Sequence, residues 1–277
     1  MDNTFSLSRF GRYFRYDFRR WVATYGPTLL LMSAVPVILY TLTVVYSLLF
    51  SQEWSTPGET TRIIVGCIVA TVLQITYPAS VYGYVTEKRA GSAFILLPAS
   101  VFEKFLSMLI NTIVVVPLAF SLIYLSLDGV ICLIDGTCGG TLFSTVVDGI
   151  RSLVTFAFAS DAPIRVSILS LYLNAASSIL FFLLGALIFK KHKILYPILI
   201  VVGLQMVLSL FFGVIVSIGA LDGLSLWTQR VAGEYLMNPD FLNWAIPAFN
   251  IIATVVDFIV FAAFCSAVFF RLKTIKH

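Results

Sequence analysis

Three polar side chains interrupt the last long apolar run of this sequence: Asn250, Thr254 and Asp257, spaced four and three residues apart. On a helix that spacing gathers them on one face. An amide, a hydroxyl and a carboxylate there can pair with neighbouring helices, line a path for a polar solute, or carry a protonation-linked step. Gln74, Asn111, Asn174 and Gln205 supply one amide each in four other apolar runs, where interhelical hydrogen bonding is the simpler role. A second group sits in YVTEKRAGSAFILLPASVFEK, from Tyr84 to Lys104. Here Glu87, Lys88, Arg89, Glu103 and Lys104 flank an apolar FILL, the pattern of a short helix that inserts apolar knobs into another protein's groove while its charges orient the contact. Gly91 is expected to allow a sharp bend after the preceding run, and Pro98 to stop the short helix before the next. Cys132 and Cys138 are close enough to bridge in an oxidising compartment or to remain thiols in a reducing one. Cys67 and Cys265 fall inside apolar runs and are expected to be buried.

Other chemistries are missing. The sequence contains no G-x-x-x-x-G-K-[ST] phosphate loop, no H-E-x-x-H and no G-x-S-x-G, and its two histidines, His192 and His277, stand beside lysines. Intramembrane aspartyl catalysis needs two carboxylates sharing a proton, and the apolar runs hold Asp257 alone. No catalytic, cofactor or metal site is therefore expected in this chain.

These residues must be held by membrane-length helices. Of 277 residues, 59% are hydrophobic and 12% charged, far from the composition of a soluble domain. Six runs are long enough to cross hydrocarbon, at about 28–50, 63–84, 105–127, 166–189, 195–218 and 244–270. The expected fold is an all-α membrane protein with six transmembrane helices in a single domain. Fourteen of the eighteen Lys and Arg residues fall in the amino-terminal segment, the loops at 85–104 and 190–193, and the tail, so both termini are expected to be cytoplasmic. The basic balance thus reads as a topology signal and implies no nucleic acid. The arginine-rich start and span-length first run do not fit a cleavable signal peptide.

Within residues 1–26, the helical period gathers Leu7, Phe10, Phe14, Phe18 and Trp21 on one face and Arg9, Arg12, Arg15, Arg19 and Arg20 on the other. Such an amphipathic helix lies in the cytoplasmic headgroup layer against anionic lipids, as a plain anchor or as a lever joining a partner to the first span. In the outer loop, TLFSTVVDGIRSLVTFAF carries Asp148 and Arg151 and fits an interfacial helix better than a seventh crossing. The loop at 219–243, with Trp227 and Tyr235, reads equally as a re-entrant element or a cap.

The order Glu87, Lys88, Arg89, then Gly91 and Ser92, then Leu96, Leu97, Pro98 and Ser100, then Glu103 and Lys104 resembles the segment between spans two and three of the type-two ABC export permeases. That family's pattern runs as an acidic residue, a basic pair, Gly-Thr or Gly-Ser, a leucine pair, Pro and an acidic-basic pair. LLPASVFEKFLS is similar to a bacterial branch of it, with Pro98 directly after the leucines. The resemblance implies a six-span half-transporter in the cell (inner or plasma) membrane that works with a second permease copy or a paralogue. It further implies a separate cytoplasmic ABC ATPase that binds ATP and Mg, and a coupling role for Glu87, Lys88, Arg89, Gly91, Pro98, Glu103 and Lys104. Two other readings stay open. One is a membrane scaffold or sensor that docks a cytoplasmic protein and transports nothing. The other is a lipid-modifying enzyme using Asp257 with a basic rim at Lys190, Lys191 and Lys193.

Overall fold

The computed structural model describes residues 5–50, 54–136, 138, 140–158, 168–215 and 239–275. Among them the chain is helical without strands: α1 (Leu7–Ser33), α2 (Val35–Phe50), α3 (Glu59–Tyr82), α4 (Lys88–Leu96), α5 (Val101–Ile110), α6 (Val116–Ile134), α7 (Leu142–Phe158), α8 (Ile168–Ile188), α9 (Leu195–Ile215) and α10 (Pro239–Thr274). A 3-10 turn, Gly83–Thr86, follows α3, and a π turn, Asn111–Val115, joins α5 to α6 in one rod.

Five helical segments among the described residues are long and apolar enough to cross a membrane: Leu7–Phe50, Glu59–Thr86, Val101–Ile134, Leu169–Ile188 and Asn250–Thr274. The sixth expected crossing corresponds to α9, whose Leu195–Phe211 stretch is a shorter apolar helix. Large apolar side chains such as Leu31, Leu122, Leu204 and Phe258 are exposed, an outer surface suited to hydrocarbon rather than water. Among the described residues this is an all-helical membrane protein. At about 1.5 Å per residue, the 36 residues of α10 extend about 54 Å, beyond the hydrocarbon thickness. Of the expected loop at 219–243, residues 219–238, with Trp227 and Tyr235, lie outside the described residues, and 239–243 belong to α10.

The amino-terminal helix and the first apolar run are continuous. α1 passes through Pro27 without a break and turns at Ala34, where Pro36 offers no N–H to continue the ladder. The expected row of rings along α1 is present, with Phe10–Phe14, Phe14–Phe18 and Phe18–Trp21 centroids 5.8, 6.4 and 5.4 Å apart. The buried stripe lies beside it, on Tyr13, Asp17, Trp21, Tyr25, Leu29 and Ser33, and packs on α3 and α5. α8 forms the centre of the bundle between α3 and α10, burying Leu180, Leu183 and Leu187.

Charged segments collect at the two ends of this bundle. The start of α1, the 83–104 segment, the α8–α9 turn and the end of α10 meet at one end through Arg9–Glu103, Lys193–Glu87 and a 3.0 Å hydrogen bond from Arg271 to the Leu187 carbonyl. At the other end Arg62 meets Asp128, and Cys132 and Cys138 form a disulfide.

Candidate functional site

The segment from Gly83 to Lys104 folds as a turn, a short helix and a second turn, and its charges at Glu87, Glu103 and Lys104 each have a structural reason. Ser100 caps α5 in a reciprocal box: its hydroxyl accepts from the Glu103 N–H at 3.2 Å while the Glu103 carboxylate accepts from the Ser100 N–H at 2.9 Å. The same carboxylate accepts from Arg9 through Nε at 2.8 Å and Nη2 at 2.8 Å, and from the Ser6 N–H at 3.0 Å. These donors, Arg9 foremost, satisfy the Glu103 carboxylate despite its complete burial. The pair joins the start of α1 to the start of α5.

Lys104 points the opposite way. Its ammonium donates to the Phe94 carbonyl at 2.7 Å and lies 4.8 Å from the Phe94 ring centroid. The last carbonyls of α4 have no partner within the helix, so a cation at that end satisfies them and complements the helix dipole. Phe94 in turn meets Tyr84 edge-on, and Arg20 of α1 covers the Tyr84 ring 3.3 Å from its centroid. One side of α4 is thereby packed on the Gly83–Thr86 turn and bonded to α5. On its outer side Ile95 and Leu96 are exposed, Leu96 at 78%. Beside this tip a cleft of about 440 Å³ is lined by Arg9, Arg12, Tyr13, Tyr16, Leu97 and Pro98.

Glu87, at the amino-terminal end of α4, forms an ion pair with Lys193 at 2.7 Å, and the same ammonium donates to the Gly83 carbonyl at 2.7 Å. A Cβ on residue 83 would come within 2.9 Å of Lys193 Cδ, so glycine permits this close approach. The bend after α3 therefore falls at Gly83–Glu87, whereas Gly91, expected to form it, is buried inside α4. Pro98 stands two residues beyond the end of α4, and Leu97 before it is extended, as a residue preceding proline prefers. The side chains of Lys88 and Arg89 lie outside the described residues.

No family model, curated protein or solved structure matches this chain. The site must be read from its own geometry.

The polar face of the last apolar run looks toward α8, the helix against which α10 mainly packs. Asp257 accepts from the Ser170 hydroxyl, Thr254 donates to the Asn250 carbonyl of its own helix at 2.8 Å, and the Asn250 amide nitrogen is buried without a partner. Of the four single amides, Asn111 is buried, Gln74 is half-buried, and Asn174 and Gln205 are exposed. Cys67, expected to be buried, is exposed, and Cys265 is half-buried. A thiol is tolerated in hydrocarbon, so its position in an apolar run does not require a protein neighbour.

Two buried polar clusters are absent from the sequence reading. Asp17 Oδ2 accepts from Ser107 at 2.7 Å, Asn111 at 2.9 Å and Tyr82 at 3.1 Å. The available signal was that Asp17 continues the Tyr13–Trp21–Tyr25 stripe, at a spacing of four, as the lone acid among arginines. Arg62 donates to Asp128 at 2.8 Å and to the Cys138 and Gly140 carbonyls at 3.1 and 2.9 Å. Each stands just outside an expected span, where it resembles an ordinary flanking charge.

Proposed function

We propose that this chain is the membrane-spanning permease subunit of an ABC-type exporter, working as a dimer and driven by a separate cytoplasmic ATPase that binds ATP and Mg. The observation that carries this reading is α4. A short helix with an exposed apolar tip, Ile95 and Leu96, is fastened to α5 through Lys104 and to the α8–α9 turn through Glu87–Lys193, and α5 is tied in turn to α1 through Glu103–Arg9. A load applied at that tip is shared among three parts of the bundle, as a coupling helix requires. The neighbouring arginine- and tyrosine-lined cleft suits an acidic side chain on the same partner.

In this reading both termini and α4 face the cytoplasm of the inner or plasma membrane, in keeping with the distribution of Lys and Arg. Arg12, Arg15 and Arg19, exposed along α1, meet anionic headgroups beside Phe18. The described side chains of α9 are exposed around much of the helix, including Leu204, Val207, Leu210 and Phe211, which supports a second permease copy or a paralogue against it. Asn250, Thr254 and Asp257 are the candidate lining of the path.

The test is a pull-down of the tagged full chain from native membranes in mild detergent, with mass spectrometry for an ATP-binding-cassette ATPase. The ATPase is expected with the native chain and lost with Leu96→Asp, a change at an exposed tip that leaves the elution profile unaltered. An ATPase retained by Leu96→Asp rules out docking through α4. Absence of any ATPase, under conditions that keep a known ABC complex intact, overturns the permease reading.

A further inference from the structure

The bridge between Cys132 and Cys138 ties the end of α6 to the chain that leads into α7. Side chains from three other parts of the protein converge on it. Asp135, between the two cysteines, accepts from the Tyr40 hydroxyl of α2 and from Trp54 Nε1 at 3.0 Å. Arg62 of α3, 3% exposed, donates through Nη1 to Cys132 Sγ at 3.0 Å and through Nη2 to the Cys138 and Gly140 carbonyls at 3.1 and 2.9 Å. The same guanidinium holds Asp128, whose second oxygen accepts from the Leu142 N–H at the start of α7. Thr145 adds a hydrogen bond to Glu59, and residues 146–152 are all exposed, so the attachment shown by the described side chains of α7 lies in its first turn. The course of the chain from Cys138 to Leu142 therefore decides where α7 docks.

We propose that this bridge is an exchange site for a small thiol, and that its state sets the docking of α7. Cys132 is half-buried and Cys138 is buried, so Cys132 Sγ is the sulfur within reach, and a small reductant reaches it more readily than a folded one. Attack by the first thiolate forms a mixed disulfide with Cys132 and breaks the bridge, and Cys138 leaves as a thiolate that takes up a proton. A second thiolate attacks the reductant's own sulfur in that mixed disulfide. The reductant departs as its disulfide, and Cys132 leaves as a thiolate to which Arg62 Nη1 is placed to donate before it too takes up a proton. The chain gains two electrons and two protons. Nothing covalent then keeps the two Cα atoms at their present 5.3 Å, and Arg62 holds the Cys138 and Gly140 carbonyls by hydrogen bonds alone. The proposal is independent of the permease reading, since it uses neither α4 nor an ATPase.

Dithiothreitol is the probe, a small molecule that carries both thiols. Hydrogen exchange of the full chain in nanodiscs is followed by mass spectrometry before and after reduction, and maleimide labelling mapped to Cys132 and Cys138 reports whether the bridge has opened. Both thiols should be freed in the folded chain. Exchange of the 140–150 and 54–62 amides should then rise about tenfold, a modest share of what closing a short loop contributes, while the 180–187 amides of the bundle centre keep their rate. Oxidised glutathione should restore the slow rates. Cys132→Ala combined with Cys138→Ala should exchange like the reduced chain and ignore dithiothreitol. The reversible comparison uses the native chain, so the test stands even if that double variant fails to fold. A bridge that resists dithiothreitol in the folded chain, exchange at 140–150 that reduction leaves unchanged, or an equal rise at 180–187, the mark of general loosening, would overturn the proposal.

Discussion

Arg9 closes on Glu103 with two guanidinium nitrogens across 94 positions of sequence, and the carboxylate it holds is fully buried while the arginine remains 28% exposed. Glu103 is also the internal cap of α5. One side chain therefore fixes where the rod begins and where α1 lies against it, so α1 cannot shift relative to the α4–α5 junction without breaking charge-assisted hydrogen bonds.

Removing that carboxylate should be costly. Glu103→Gln is expected to lower stability by about 3 kcal/mol, because Arg9 loses its counter-charge and the cap its charged acceptor. The thermal midpoints of the native chain and of Glu103→Gln in detergent read this loss, and equal midpoints would show that the pair contributes nothing to stability.

At the opposite end, Arg62 and Asp128 are both almost completely buried. Asp128 also accepts from the Leu142 N–H at 2.9 Å, placing the start of α7. Arg62→Met should cost about 3–5 kcal/mol by leaving a buried carboxylate uncompensated. Arg62→Met combined with Asp128→Leu should recover part of that loss. Chemical denaturation in detergent reads both, and strictly additive losses would sink the explanation.

The Asp17 cluster discriminates between shape and charge. Asp17→Asn keeps an oxygen that can accept from Ser107, Asn111 and Tyr82, whereas Asp17→Leu leaves three buried donors without their acceptor. The leucine variant should be the less stable by about 2 kcal/mol or more, at roughly 1–3 kcal/mol for a buried group left unsatisfied. Equal thermal midpoints for the two variants would mean that the donors find other acceptors.

Much of the candidate site was legible locally. The short helix between two long ones and its end before Pro98 are written within a few residues of one another, whereas the capping box of Ser100 and Glu103 in the same stretch was not read. The inward turn of Glu103 and Lys104 was not legible, because a charged pair beside a helix start reads the same whether it faces solvent or a partner. Gly91 shows the same ambiguity in reverse. Glycine permits a bend without requiring one, and the bend settled at Gly83, where the Lys193 ammonium bonds the Gly83 carbonyl.

Residue order alone determined the class of this protein and the positions of its apolar helices, because hydrocarbon imposes a composition and a length on each crossing segment separately. Tertiary structure alone decided the partners: Arg9 with Glu103, Arg62 with Asp128, and three donors on Asp17. Each joins residues far apart in sequence. Local periodicity shows which face of a helix is apolar, but which helix lies against that face is settled by packing, and buried polar groups must then find partners among the residues that packing brings near.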